Sequence, residues 1–154
     1  MDMQKTITQQ IIEDLYTEAL MLADEARSVF DMRDQESDGS KSSNEMRIAL
    51  SIEGLRTTTR VMHVLAWLLN QRAYFSGELS AQQLERHGSL GEDRPSDPKN
   101  LAILPLTIRS LIRDSERLQK RVARIDAEQR ARTPANDDPV GLLQGRIAQA
   151  FTAV

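Results

Sequence analysis

The 154-residue chain has no cysteine, which removes disulfides, thiolate catalysis and cysteine metal sites from consideration. Aromatic residues are scarce, at three Phe, two Tyr and one Trp, and there are only seven Gly and five Pro. With abundant Leu, Ala, Arg, Glu and Gln, that composition favours helix over sheet. Long apolar runs are missing too. The greasiest stretch, Val61 to Leu69, spans nine residues with His63 its one polar member. That is about half of what a membrane span requires. The N-terminus, MDMQKTITQQIIEDL, places an acid at position 2 and has no apolar h-region, so it does not read as a signal peptide. A net charge of −3 argues against a dedicated nucleic-acid binder. The expectation is a soluble cytoplasmic protein, one domain long, with a core of its own.

Catalytic patterns are missing as well. There is no Gly-x-Ser-x-Gly, no Gly-rich phosphate loop and no Gly-x-Gly-x-x-Gly,. His63 has Arg60 where a Glu-x-x-His metal pair would need Glu, and His87 has Leu84 there. Asp14 and Glu18 share a helical face, with Asp24 and Glu25 further along, but the middle of the chain adds only Glu53. A hard divalent ion needs several oxygens converging on one point. The reading is a non-enzyme with no metal and no cofactor.

What is present is periodicity. Ile12, Leu15, Ala19, Leu22, Ala26 and Val29 recur in steps of three and four, with Thr8 as a candidate N-cap and an end near Arg33,. The polar stretch DQESDGSKSSNE reads as an exposed linker,. A second stripe follows through Ile48, Ile52, Leu55, Thr59, Met62, Ala66, Leu69 and Ala73, stopped by Gly77,. Ser80 looks like the N-cap of a short helix, AQQLER, and residues 88–100 read as a loop. The third stripe uses Leu104, Ile108, Leu111, Ser115, Leu118, Val122 and Ile125, with Pro105 at the helix start,. Three such stripes predict an all-α fold, an antiparallel three-helix bundle over residues 1–132. Residues 133–154 are expected to be a flexible C-terminal tail. In it Leu143, Ile147 and Phe151 line one side of a possible short helix, either unstructured alone or docked on the bundle,.

The middle helix carries a second apolar seam. With Met62 taken as the core direction, Val64 and Gln71 point away from it at about 100° per residue. Trp67, Leu68 and Phe75 lie on that same half, with Arg60 alongside. Large bare patches are rare on soluble proteins, and Trp and Arg are over-represented among residues that dominate interfaces. Arg60, Val64, Trp67, Leu68, Gln71 and Phe75 are therefore the expected homodimer interface, the other candidate covers being the short helix and the tail. Leu143, Ile147 and Phe151 are the expected partner-binding residues of the tail. The third helix is rich in Arg, from Arg109 to Arg132, so a small dimeric nucleic-acid-binding regulator is the alternative,.

Two blocks resemble a known family. LRTTTRVMHVLAWLLNQRAYFSGELS is similar to the middle helix of the bacterial RcdA family, the regulators of CtrA degradation, at Thr58, Thr59, Arg60, Val61, Met62, Trp67, Leu68, Leu69, Gln71, Arg72, Ala73, Gly77 and Glu78. LAILPLTIRSLIRDSERLQKRVARIDAE is similar at Leu104, Pro105, Ser115, Arg121, Val122, Arg124, Ile125 and Asp126. The matched blocks cover about a third of the chain. The resemblance implies a dimeric three-helix bundle with a flexible C-terminus. It also implies an adaptor role in ClpXP-dependent degradation of cell-cycle regulators, with a ClpX-associated response regulator and protein cargo as partners. A cytoplasmic protein recruited to a cell pole would suit that role.

Overall fold

The structure, a computed structural model, describes residues 2–36, 42–132 and 139–152. Every regular element among them is helical: α1 (Asp2–Glu36), α2 (Ser42–Phe75), α3 (Ala81–His87), α4 (Pro98–Ile103), α5 (Leu106–Arg132) and α6 (Pro139–Thr152). The all-helical class read from the sequence therefore holds. Helices α1 and α2 consume both ends of the expected linker, whose centre, residues 37–41, lies outside the described residues, as do residues 133–138. The chain divides into two compact units, residues 1–122 and 123–154.

Within the first unit, α1 buries Ile12, Leu15, Ala19, Leu22 and Ala26, the stripe its spacing dictates. Helix α5 buries Ile108, Leu111, Ile112, Ser115, Leu118 and Val122. The sequence stripe added Leu104, which is also buried, and Ile125, which is half-buried, and missed Ile112. Gly77 stops α2 at φ 84°, a conformation that costs glycine little, and Glu78 N–H donates back to the Ala73 carbonyl at 2.9 Å. Ser80 and Gln83 close a reciprocal capping box on α3,. Helix α4 is an addition to the expected loop. Asp97 caps it by accepting from Lys99 N–H at 2.9 Å, and Pro98 follows in its first turn,.

Two expectations fail. The first is direction. Helices α1 and α2 are antiparallel, since Arg72 meets Glu13 while Gly54 lies against the Phe30 ring. Helix α5, however, runs parallel to α2: Ala49 packs with Leu104, Ile108 and Ile112, and further on Arg60 meets Ser115. The helices cannot alternate up, down, up, because residues 76–104 travel back along α2 before α5 begins.

The second failure is the face of α2. Its 3-4 stripe was expected in the core, yet Ile48, Leu55, Met62 and Leu69 are 62%, 71%, 62% and 48% exposed. The core side carries Ala49, Glu53, Thr57, Arg60, Val61, Val64, Trp67, Leu68 and Gln71, each at most 3% exposed. The physical reason is that the inner stripe mixes apolar and polar residues, and the polar ones read as solvent-facing until their partners are known. A buried polar group is tolerated when it is hydrogen-bonded.

Leu118 is 1% exposed, whereas Arg113 is on the wet side of α5. Leu118→Ala should cost about 2–5 kcal/mol by urea denaturation, and Arg113→Ala about half a kcal/mol or less. Equal losses would mean that α5 has been assigned the wrong face.

Candidate functional site

Helix α2 presents two faces of different chemistry, and each organises one side of the molecule. The inner face is a polar clasp that continues into an apolar core. Arg60 is 1% exposed. Its Nε donates to Asp93 Oδ1 at 2.8 Å, one Nη to Ser115 Oγ at 3.0 Å and the other to the Arg94 carbonyl at 2.9 Å. Ser115 Oγ in turn donates to the Ile112 carbonyl at 2.6 Å. Two turns earlier, Glu53 Oε1 accepts from Arg56 at 2.8 Å, and from Asp97 N–H and Asn100 Nδ2 at 3.1 Å each. Between α3 and α4 the backbone also comes close to His63, where a Cβ on Gly91 would sit 2.6 Å from Nδ1. Any larger residue there would have to displace the His63 ring.

Burial pushes the Glu53 carboxyl up, but the hydrogen bonds from Asn100, the Asp97 amide, Ser96 and Arg56 outweigh it and hold the group below its ordinary value. The Ser96 contribution is one of proximity, since Ser96 Oγ meets no full hydrogen-bond geometry; Glu53 Oε2 and Thr57 Oγ1 also have no protein partner.

The outer face of α2 is apolar and open. Ile48, Ile52, Leu55, Met62 and Leu69 are 38–71% exposed, and Thr59 and Ala66 complete the series on the same exposed side. The steps from 48 to 69 are 4, 3, 4, 3, 4 and 3, the a/d repeat of a coiled-coil seam.

The expected dimer residues are therefore placed differently. Arg60, Val64, Trp67, Leu68 and Gln71 lie inside a single chain, and Phe75 is half-buried beside Tyr74, ring centroids 5.5 Å apart. The first five are core residues, unavailable to a second copy, whereas Phe75 keeps part of its ring exposed. Sequence reasoning weighed Glu53 only as a metal-binding acid and missed Asp93, Asp97 and Asn100, whose partners are 33 to 47 positions away. In the second unit, α6 leaves Leu143, Ile147 and Phe151 60%, 50% and 81% exposed, so these three do share an accessible stripe.

Three acids of α1 are engaged by neighbours. Glu13 pairs with Arg72 at 2.9 Å, Glu18 with Arg121 at 2.9 Å, and Asp14 accepts from Gln10 at 2.9 Å. Arg72 also stacks over the Tyr16 ring at 4.3 Å. The same pairing spends part of the basic character of α5, where Arg117 meets Asp114 and Arg130 meets Asp126. Among the described residues no group of three or more His, Cys, Asp or Glu is placed to hold a metal. No described helix is long and apolar enough to cross a membrane.

An all-helical protein, among the described residues, with one double-faced helix is the class that this architecture defines. A family model covers residues 3–151, and the chain belongs to that family, described as a protein of unknown function (DUF1465). No curated protein and no solved structure matches the chain.

Glu53 yields a pH test. Its folded value is lowered, so its stabilising contribution is complete above the ordinary carboxylate value and is lost as pH falls through the folded one,. Glu53→Gln should cost about 1–3 kcal/mol near neutral pH. That gap should narrow in urea unfolding as pH falls below the ordinary carboxylate range,. A gap that does not change with pH would remove the charge from the account.

Proposed function

We propose that the chain is a non-enzymatic adaptor, a homodimer whose long helices α1, α2 and α5 form a three-helix bundle. The observation that carries the reading is the exposed a/d stripe of α2. An apolar stripe that runs from Ile48 to Leu69 is about 32 Å long at 1.5 Å per residue, and patches of that extent on soluble proteins mark interaction sites. The heptad spacing selects another helix as its cover, and a second copy of α2 offers the same knobs and holes through a two-fold axis. Charge does not oppose such pairing. The flanking positions are Ala49, Ser51, Thr58, His63, Leu65 and Asn70, together with Arg56 and Arg72, and both arginines already have partners within the chain.

The adaptor role rests on the resemblance to the RcdA family together with these open surfaces. Dimerisation through α2 leaves the exposed stripe of α6, with Leu143, Ile147 and Phe151, as the element that captures a response-regulator partner or cargo, in the manner of a helix laid in a groove. The setting this implies is cytoplasmic, with recruitment to a cell pole as the finer expectation.

One variant tests both parts. Met62→Glu places a charge on the open stripe without touching the core. The parent should sediment as a dimer at tens of micromolar and the variant as a monomer, an interface charge costing several kcal/mol. In a reconstituted ClpXP reaction with the response regulator and its cargo, the parent should accelerate degradation. A monomeric parent would sink the dimer, and unchanged degradation would sink the adaptor role.

A further inference from the structure

The return path of the chain along α2 is held by a different kind of bond from the rest of the first unit. Between Gly88 and Leu104, which are both buried, none of residues 89–103 is buried. Neither α3 nor α4 buries a residue. The apolar side chains of this strap are only partly covered: Leu90 is half-buried, Leu101 is half-buried against the Ala49, Leu104, Ile108 and Ile112 cluster, and Ile103 is 41% exposed.

The strap is fastened instead by polar side chains of α2. Arg60 holds Asp93 Oδ1 and the Arg94 carbonyl, and Glu53 holds the Asp97 amide and the Asn100 side chain. The groups on both sides of these bonds are ones that water solvates well. Lifting the strap exchanges protein–protein hydrogen bonds for protein–water ones, a trade of small net cost. It also returns two buried atoms of the clasp that have no protein partner, Glu53 Oε2 and Ser96 Oγ, to solvent. The neighbouring core is different in kind. Val64, Leu68, Ile108 and Leu111 are at most 1% exposed, and exposing them carries the full hydrophobic cost.

We propose that residues 89–103 form a polar-latched strap that opens as a unit, anchored at Gly88 and Leu104, while the long helices stay folded. Opening uncovers a polar furrow on α2 in which the Arg60 guanidinium has lost its carboxylate partner Asp93 and keeps Ser115. The latch is built into the connection that lets α5 run parallel to α2. It does not depend on dimerisation through the opposite face.

Native-state hydrogen exchange of the full chain by NMR, with small additions of urea, tests it. The amides of Asp97, Lys99 and Leu101 are bonded to Glu53, the Asp97 side chain and the Asp97 carbonyl in turn. They should be at least about tenfold less protected than those of Val64, Leu68 and Leu111, with exchange nearly independent of urea, because little surface is exposed on opening. Strap amides that match the core amides in rate, or that show the same urea slope, would mean that the strap opens only when the protein unfolds, and would overturn the proposal.

Discussion

A guanidinium that is 1% exposed has to be paired, and the pairing of Arg60 dictates the route of the chain. Its carboxylate comes from Asp93 and its remaining acceptors from Arg94 and Ser115. Those partners lie on the segment that returns along α2 and on α5. Satisfying one buried charge therefore fixes where the strap lies and brings α5 alongside α2. Removing a partner would leave an uncompensated buried charge, a far larger loss than that of an exposed ion pair. Arg60 and Ser115 also belong to the two sequence blocks that carry the family resemblance, and their bond joins those blocks in space.

Burying the mixed stripe has a consequence for the opposite face. Once Arg60, Trp67 and Leu68 turn inward, helical geometry sends Ile48, Leu55, Met62 and Leu69 outward, because a helix has only one side to give to its own chain. The charged flanks of that stripe are quieted by internal pairing, Arg56 with Glu53 and Arg72 with Glu13. Apolar at its centre and neutral at its edges, the outer face has the character of an interface core. Fold and proposed assembly thus share one cause, the orientation of α2.

Much of this was legible in the sequence, and the exceptions are physical. The buried stripes of α1 and α5 are regular, so Ile12 to Ala26, and Ile108 to Val122 apart from Ile112, could be read directly from spacing. Ser80 and Gly77 announced themselves through local chemistry, a cap and a left-handed residue, which need no tertiary information. Helix α2 has two stripes, and spacing favoured the more regular one. The decision went the other way because Glu53 and Arg60 find partners more than thirty positions away, and no local pattern encodes such a partner. Helix α4 was hidden for a related reason: its Asp97-Pro98 start is a good signal, but its first turn is secured from outside by Glu53. The parallel course of α5 follows from the same bonds. The α6 stripe of Leu143, Ile147 and Phe151 was visible as spacing and is exposed as a helix.

The central claim is that the Trp67 stripe belongs to the core of one chain and the Met62 stripe to its exterior. The chain has a single tryptophan, 1% exposed within one copy, so its fluorescence reports on this claim without interference. The account predicts blue-shifted emission with low acrylamide quenching, unchanged when the protein is diluted from tens of micromolar to tens of nanomolar, where a moderate-affinity dimer dissociates. A red shift with increased quenching on dilution would show that Trp67 is covered by a second copy, and would contradict the account.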